Sequence, residues 1–357
     1  LAWRHSGSYG TFDFAGVLTM MLEHGGRLNK AAERWGIPRA QWLDLSTGIN
    51  PIGWPVPEIP AALWQRLPEA GDGLEATVLQ WSGAPSSAGC VPVPGSQAAI
   101  MALPRLRKPC RVGIPVPGYR EHGYNWREAG HRVVPIGPRQ TCGGAPGCDD
   151  RWLDQLDVMV WINPNNPTGE IIPPSTLLRW HRRLQKRGGW LIVDEAFMDA
   201  TPAFSVAHQA GAPGLIVLRS LGKFFGLAGA RAGFVLADAA VASSLQSVLG
   251  PWSLSGPARY VTQKALSDYN WQRQTLHRLR RDSDRLRSML QKVGFTLVGG
   301  SPLFQTVWAG QAQAVAEGFA RNGLLVRYFE QPEMLRFGLP ASNRDWERLE
   351  RAMMQLG

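Results

Sequence analysis

Between about residue 75 and residue 250, short apolar runs alternate with stretches of helical period, and this alternation narrows the possible folds more than any other feature of the chain. The runs at residues 91–93, 111–114, 132–135, 158–162, 190–193, 215–218 and 233–236 are strand-sized, with helical patterns between most of them. Buried strands alternating with helices predict an α/β fold with a mostly parallel, seven-stranded sheet flanked by helices. Ligands of such sheets bind at the carboxyl ends of the strands, in the loops that follow, so those positions are where chemistry is sought.

The pattern changes after Pro257. A helix-rich stretch is followed by short strand patterns at residues 295–298, 304–308, 324–326 and 335–337 and helices at 311–321 and 342–354, a small α+β unit. The expected organisation is an N-terminal arm contributing to the small domain (1–50), a large domain (51–255), connecting helices (256–290) and a small C-terminal domain (291–357).

With 44% hydrophobic and 18% charged residues, the 357-residue chain has the composition of an ordinary globular protein. Its longest apolar runs are far too short to span a bilayer, and residues 1–10 lack the apolar core of a signal peptide, so a cytoplasmic location is expected. The formal charge of +10 invites a nucleic-acid reading, but the excess is nearly all arginine scattered along the chain. It suits small phosphorylated anions equally well, and no nucleic-acid or membrane partner is expected. Four cysteines suggest neither a disulfide framework nor a metal site: Cys142 and Cys148 flank a Gly/Pro loop, and Cys90 and Cys110 read as core residues.

Lysines are few, and Lys223 stands out in Ser220-Leu221-Gly222-Lys223-Phe224-Phe225-Gly226, directly after an apolar strand. Loss of hydration among Gly, Phe and Leu would lower its pKa and free an amine for Schiff-base chemistry; the alternative is an exposed loop lysine. Ser220 and Arg231 could hold a phosphate beside it. Asp194 closes the strand at 190–193, where it could pair with a protonated heterocycle nitrogen or simply cap a turn. The rigid turn Asn163-Pro164-Asn165-Asn166-Pro167-Thr168-Gly169 offers amide donors, Asn166 among them. Gly95, Ser96 and Gln97 join a strand to a helix start, an anion-binding arrangement, and Tyr119 offers either a stacking face or a core ring.

In these strings the chain resembles the fold-type I pyridoxal-phosphate enzymes, the aspartate-aminotransferase superfamily, over essentially its whole length. The resemblance implies pyridoxal 5'-phosphate as cofactor, with Lys223 bonded to it and Asp194, backed by His122, at its ring nitrogen. It places Asn166 at the 3-oxygen, Tyr119 against the ring, and Gly95, Ser96, Gln97, Ser220 and Arg231 at the phosphate. Phe197 replaces a tyrosine that aminotransferases commonly use as a second donor to the 3-oxygen. It further implies a homodimer and no metal.

Histidinol-phosphate aminotransferases share most of these residues. The string Glu23-His24-Gly25-Gly26 and the segment Ile49-Asn50-Pro51 are more like the threonine-phosphate decarboxylases of cobalamin biosynthesis. That branch implies decarboxylation of L-threonine O-3-phosphate to (R)-1-aminopropan-2-yl phosphate. Its substrate would be held by His24, Asn50, Asn166, Arg327 and Arg336, with His24 and Arg327 on the phosphate and Arg336 on the carboxylate or shared with the phosphate. An aminotransferase-like DNA-binding regulator is the contrasting class, but such regulators usually append a winged-helix domain, whose pattern residues 1–40 lack.

Overall fold

A computed structural model describes residues 24–145 and 147–356. The first strand, β1 (Leu43–Asp44), is followed by the seven strands of the large sheet: β2 (Gly89–Val93), β3 (Arg111–Pro115), β4 (Arg132–Ile136), β5 (Val158–Ile162), β6 (Trp190–Asp194), β7 (Leu215–Ser220) and β8 (Gly233–Ala237). They lie in the order β2-β8-β7-β6-β5-β3-β4. The strands from β7 through β4 run parallel, and β8 is antiparallel to both its neighbours.

The central strands are apolar along their length because both faces are covered. In β5, Met159 and Trp161 enter one core, with Leu191, Val193 and Val217; Val158 and Val160 enter the other, with Ile192, Ile216 and Leu218. The alternation that divides a strand between two faces thus builds a core on each side of the sheet.

Beyond the long helix Tyr269–Lys292 come β9 (Thr296–Ser301), β10 (Phe304–Trp308), β11 (Leu324–Leu325), β12 (Arg327–Phe329) and β13 (Met334–Gly338). Four of these form an antiparallel sheet in the order β12-β13-β10-β9, whereas β11 leaves it to pair in parallel with β1. The apolar run at 324–326 therefore yields only the two-residue strand β11, on β1, and the strand that joins the small sheet, β12, begins after it at Arg327. A second correction concerns the cysteines. Cys142 and Cys148 form a disulfide with Cα atoms 6.2 Å apart, brought together by the left-handed conformation of Cys142 and the glycines that follow it. Of the other two, Cys90 is buried and Cys110 half-buried.

Candidate active site

The candidate residues converge beyond the carboxyl ends of β2, β3, β5, β6 and β7. Asp194 is the last residue of β6 and is buried; its Oδ2 accepts from His122 Nε2 (2.8 Å) and its Oδ1 from the Ala196 amide (3.1 Å). Both oxygens are thereby engaged, one by a buried imidazole and the other by a backbone amide. Lys223 follows β7 and is half-buried, with its Nζ 5.4 Å from the centre of the Phe197 ring. Burial, with the positive charge of Arg336, pushes this amine down to about 8; Asp194 pulls the other way and Arg231 adds to the depression. That depression is what a nucleophilic amine working near neutrality requires.

At the end of β2, Gly95 (φ 78°) turns the chain into the helix Ser96–Ala102. The first amides of a helix have no partner within it. A Cβ at Gly95 would lie 2.5 Å from Arg231 Nη2, so the absent side chain lets the guanidinium settle over the turn. Arg231 is itself left-handed (φ 50°), a conformation rare in non-glycine residues. Ser220 ends β7 beside Gly233, which packs against the Ser96 amide. Amides, hydroxyl and guanidinium together compose a receptor for a dianion.

Tyr119 caps the helix Arg120–Glu128 and donates from its hydroxyl to Gln97 Oε1 (3.2 Å). Burial and the neighbouring Glu121 carboxylate hold its phenol above the ordinary range, so it stays protonated. Glu121, which the sequence does not single out, accepts from His24 Nε2 (2.8 Å) and from Gln97 Nε2 (2.9 Å), joining His24 to the turn after β2. A Glu in the first turn of a helix is too common to announce such a role.

On the opposite side, Asn166 stands in the turn after β5, and Arg336 Nη1 donates to its Oδ1 (2.5 Å). This contact fixes the amide so that its NH2 is left to donate elsewhere. Arg336 Nη2 donates to the Ser46 carbonyl (2.6 Å), and its Nε is a buried donor without a partner. Burial and the adjacent Arg327 push the Arg336 guanidinium down to about 9, against the pull of Asp44. Arg327 packs on the Phe329 ring (5.2 Å). The turn itself is clasped by the small sheet: Thr306 Oγ1 donates to the Pro167 carbonyl (2.6 Å), and Gly169 meets the backbone of Gly300 with no room for a Cβ.

Asn50 adjoins the lysine loop, and both ends of its side chain are engaged within the protein. Its amide donates to the Phe224 carbonyl (2.8 Å), and its Oδ1 accepts from the Ile52 amide (3.1 Å) and Arg278 Nη2 (2.9 Å). Glu23 lies outside the described residues. Behind Asp194, the buried Arg219 pairs with Glu195 (3.3 Å) and Asp199 across the turn after β6. No apolar pattern marks those three residues in the sequence. A cleft of about 570 Å³ at the other end of the strands, lined by Trp190, Gly214 and Asp238, contains none of the candidate residues.

The family model "Aminotransferase class I and II" matches residues 74–353. The threonine-phosphate decarboxylase of Pseudomonas aeruginosa is 51% identical over 334 residues, covering 94% of this chain and 98% of that protein. The threonine-phosphate decarboxylase of Sinorhizobium sp. is 37% identical over 341 residues, with the same coverage of both chains. Among solved structures, histidinol-phosphate aminotransferase from Sinorhizobium meliloti in complex with pyridoxal-5'-phosphate aligns with a TM-score of 0.78 at 16% identity, over 98% of this chain and 99% of that one. L-threonine-O-3-phosphate decarboxylase from Porphyromonas gingivalis aligns at 0.71 and 16%, over 87% and 98%.

The donor set fits pyridoxal 5'-phosphate. A depressed amine stands beside a buried carboxylate, free helix-start amides lie with a guanidinium at one end, and an oriented amide lies at the other. The chain belongs to the class I and II aminotransferase family of pyridoxal-phosphate-dependent enzymes, and within it to the threonine-phosphate decarboxylases.

Proposed function

We propose that the protein decarboxylates L-threonine O-3-phosphate to (R)-1-aminopropan-2-yl phosphate in cobalamin biosynthesis, acting as a cytoplasmic homodimer. The observation that carries this reading is the 51% identity to a threonine-phosphate decarboxylase across nearly both full chains. Lys223 is the residue to bond the cofactor, Asp194 to face its ring nitrogen, Asn166 its 3-oxygen and Tyr119 its ring. Gly95, Ser96, Gln97, Ser220 and Arg231 are assigned to its phosphate. When bound, the cofactor supplies an electron sink for the pair released at the substrate's α-carbon.

The chain's own residues decide which bond is given up. Arg336 takes the substrate carboxylate, while Arg327 and His24 hold its phosphate. Anchoring both ends fixes rotation about the bond from nitrogen to the α-carbon, a positional effect worth several kcal/mol in general. Lys223, with its amine near a pKa of about 8, is the proton donor that completes the exchange of carboxylate for hydrogen. Phe197 offers no hydroxyl, so the 3-oxygen depends on Asn166, whose amide Arg336 has already oriented.

Exposed Ile52, Val56, Trp64 and Leu67 supply apolar surface for a second copy to cover. Among the described residues no helix is long and apolar enough to cross a membrane. The deciding experiment incubates the cofactor-loaded protein with threonine phosphate and measures carbon dioxide against aminopropyl phosphate. Equal amounts of the two support the proposal. Glutamate formed from 2-oxoglutarate with histidinol phosphate as amino donor, with no carbon dioxide from threonine phosphate, would replace it with the aminotransferase reading.

A further inference from the structure

Three consecutive carbonyls of the lysine loop, those of Lys223, Phe224 and Phe225, are all taken up by one short segment. The Asn50 amide donates to the first (2.9 Å), the Asn50 side chain to the second (2.8 Å) and the Trp54 amide to the third (2.8 Å). The segment lies directly on the loop: a Cβ at Gly226 would sit 2.6 Å from Gly53 Cα. Residues 50–54 form neither helix nor strand, and the one hydrogen bond given within the segment runs from the Ile52 amide to Asn50 Oδ1 (3.1 Å).

The long helix Tyr269–Lys292 holds the segment at two points. Asp268, its N-cap, accepts from Trp54 Nε1 (3.1 Å), and Arg278 Nη2 donates to Asn50 Oδ1 (2.9 Å) and to the Ile52 carbonyl (3.2 Å). Trp271 of the same helix stacks on Phe225 with ring centres 5.6 Å apart. Farther along, Ser283 accepts from Gln305 of β10 (2.7 Å), so the helix that grips the segment also carries the small sheet.

We propose that Asn50 and Arg278 are positioning residues for Lys223. Residues 50–54 act as a strap across the lysine loop, and Arg278 sets the orientation of the Asn50 amide, with the acceptor toward itself and the donor toward Phe224. This rests on reading Lys223 as the reactive amine, and it removes Asn50 from the substrate-binding set. The strap places the backbone from which the amine projects, and the small sheet determines where the strap lies.

The test compares Arg278→Met, Arg278→Lys and Asn50→Ala with the unaltered protein. In the cofactor-free protein, hydrogen exchange at the Asn50 and Trp54 amides is expected to quicken at least tenfold in Arg278→Met and Asn50→Ala, with partial restoration in Arg278→Lys. In the loaded enzyme both damaging variants are expected to lose kcat by tenfold or more while KM for threonine phosphate stays within about twofold. A Trp54 amide unchanged in exchange, or a raised KM at unaltered kcat in Asn50→Ala, overturns the proposal, the latter returning Asn50 to the substrate. Because exchange is read without cofactor or substrate, it stands apart from the lysine assignment, which Lys223→Ala tests separately.

Discussion

Arg327 and Arg336 face each other across one rung of the antiparallel pair β12–β13, two like charges in direct register. Such a pair is unfavourable by itself, and its repulsion contributes to the low pKa of Arg336. A substrate carrying a carboxylate and a phosphate removes that conflict. Replacing Arg336 by Met is expected to raise KM for threonine phosphate by roughly 10- to 150-fold, the cost of about 1.5–3 kcal/mol for a lost charged hydrogen bond. Steady-state kinetics check this, and an unchanged KM would refute the carboxylate assignment.

The Lys223 amine, pushed down to about 8, is protonated below that pH and free above it. The rate at which cofactor-free protein combines with pyridoxal phosphate should therefore rise with pH and reach half its maximum near 8, rather than near the ordinary lysine value of 10.5. Removing the Arg336 charge should move that midpoint upward. Stopped-flow absorbance across pH 6–10 reads both, and Lys223→Ala should show no such absorption at any pH.

The Asp194 carboxylate depends on His122 for one of its two hydrogen bonds. His122→Phe keeps the volume approximately and removes the donor. Loss of a hydrogen bond to a charged group costs about 1.5–3 kcal/mol, which predicts cofactor binding weaker by roughly 10- to 150-fold. Equilibrium titration with pyridoxal phosphate measures the change; retention within twofold would show that His122 does not aid Asp194.

Arg219 is the sole cation in contact with the buried carboxylates Glu195 and Asp199 among the ion pairs of the described residues. Burial raises both carboxyl pKa values, and Arg219 opposes the rise. Arg219→Met should destabilise the fold by about 3–5 kcal/mol at neutral pH, since it strands two buried acids. Acids whose folded pKa is raised take up protons more readily folded than unfolded, so the loss should shrink as pH falls toward 5 and grow toward 8. Thermal unfolding at those pH values tests the sign.

Much of the fold was legible because β5, β6 and β7 are apolar on both faces and are closed or followed at once by a polar residue, Asn163, Asp194 and Ser220. Val158–Ile162 followed by the Asn/Pro turn shows this most clearly. The placement of Lys223, Asp194 and Asn166 follows directly from such strand ends. What the sequence concealed is contact between distant segments. Glu121 bridges His24 and Gln97, Arg219 sits among acids behind β6, and the Asn50 side chain donates to the Phe224 carbonyl. None of these partners is fixed by spacing along the chain. The same limit explains the cysteines: Cys142 and Cys148 meet because intervening glycines fold back, which a residue count does not foretell.

The backbone of Gly169 meets that of Gly300 so closely that a Cβ at Gly169 would collide with the Gly300 carbonyl oxygen. Two and three residues before it, Thr306 Oγ1 and Arg336 Nη1 reach across from the small sheet to the Pro167 carbonyl and to Asn166 Oδ1. The bare glycine thus sets the spacing at which those two side chains can bridge the gap: a methyl group at position 169 would wedge the turn off the sheet and stretch both bridges at once.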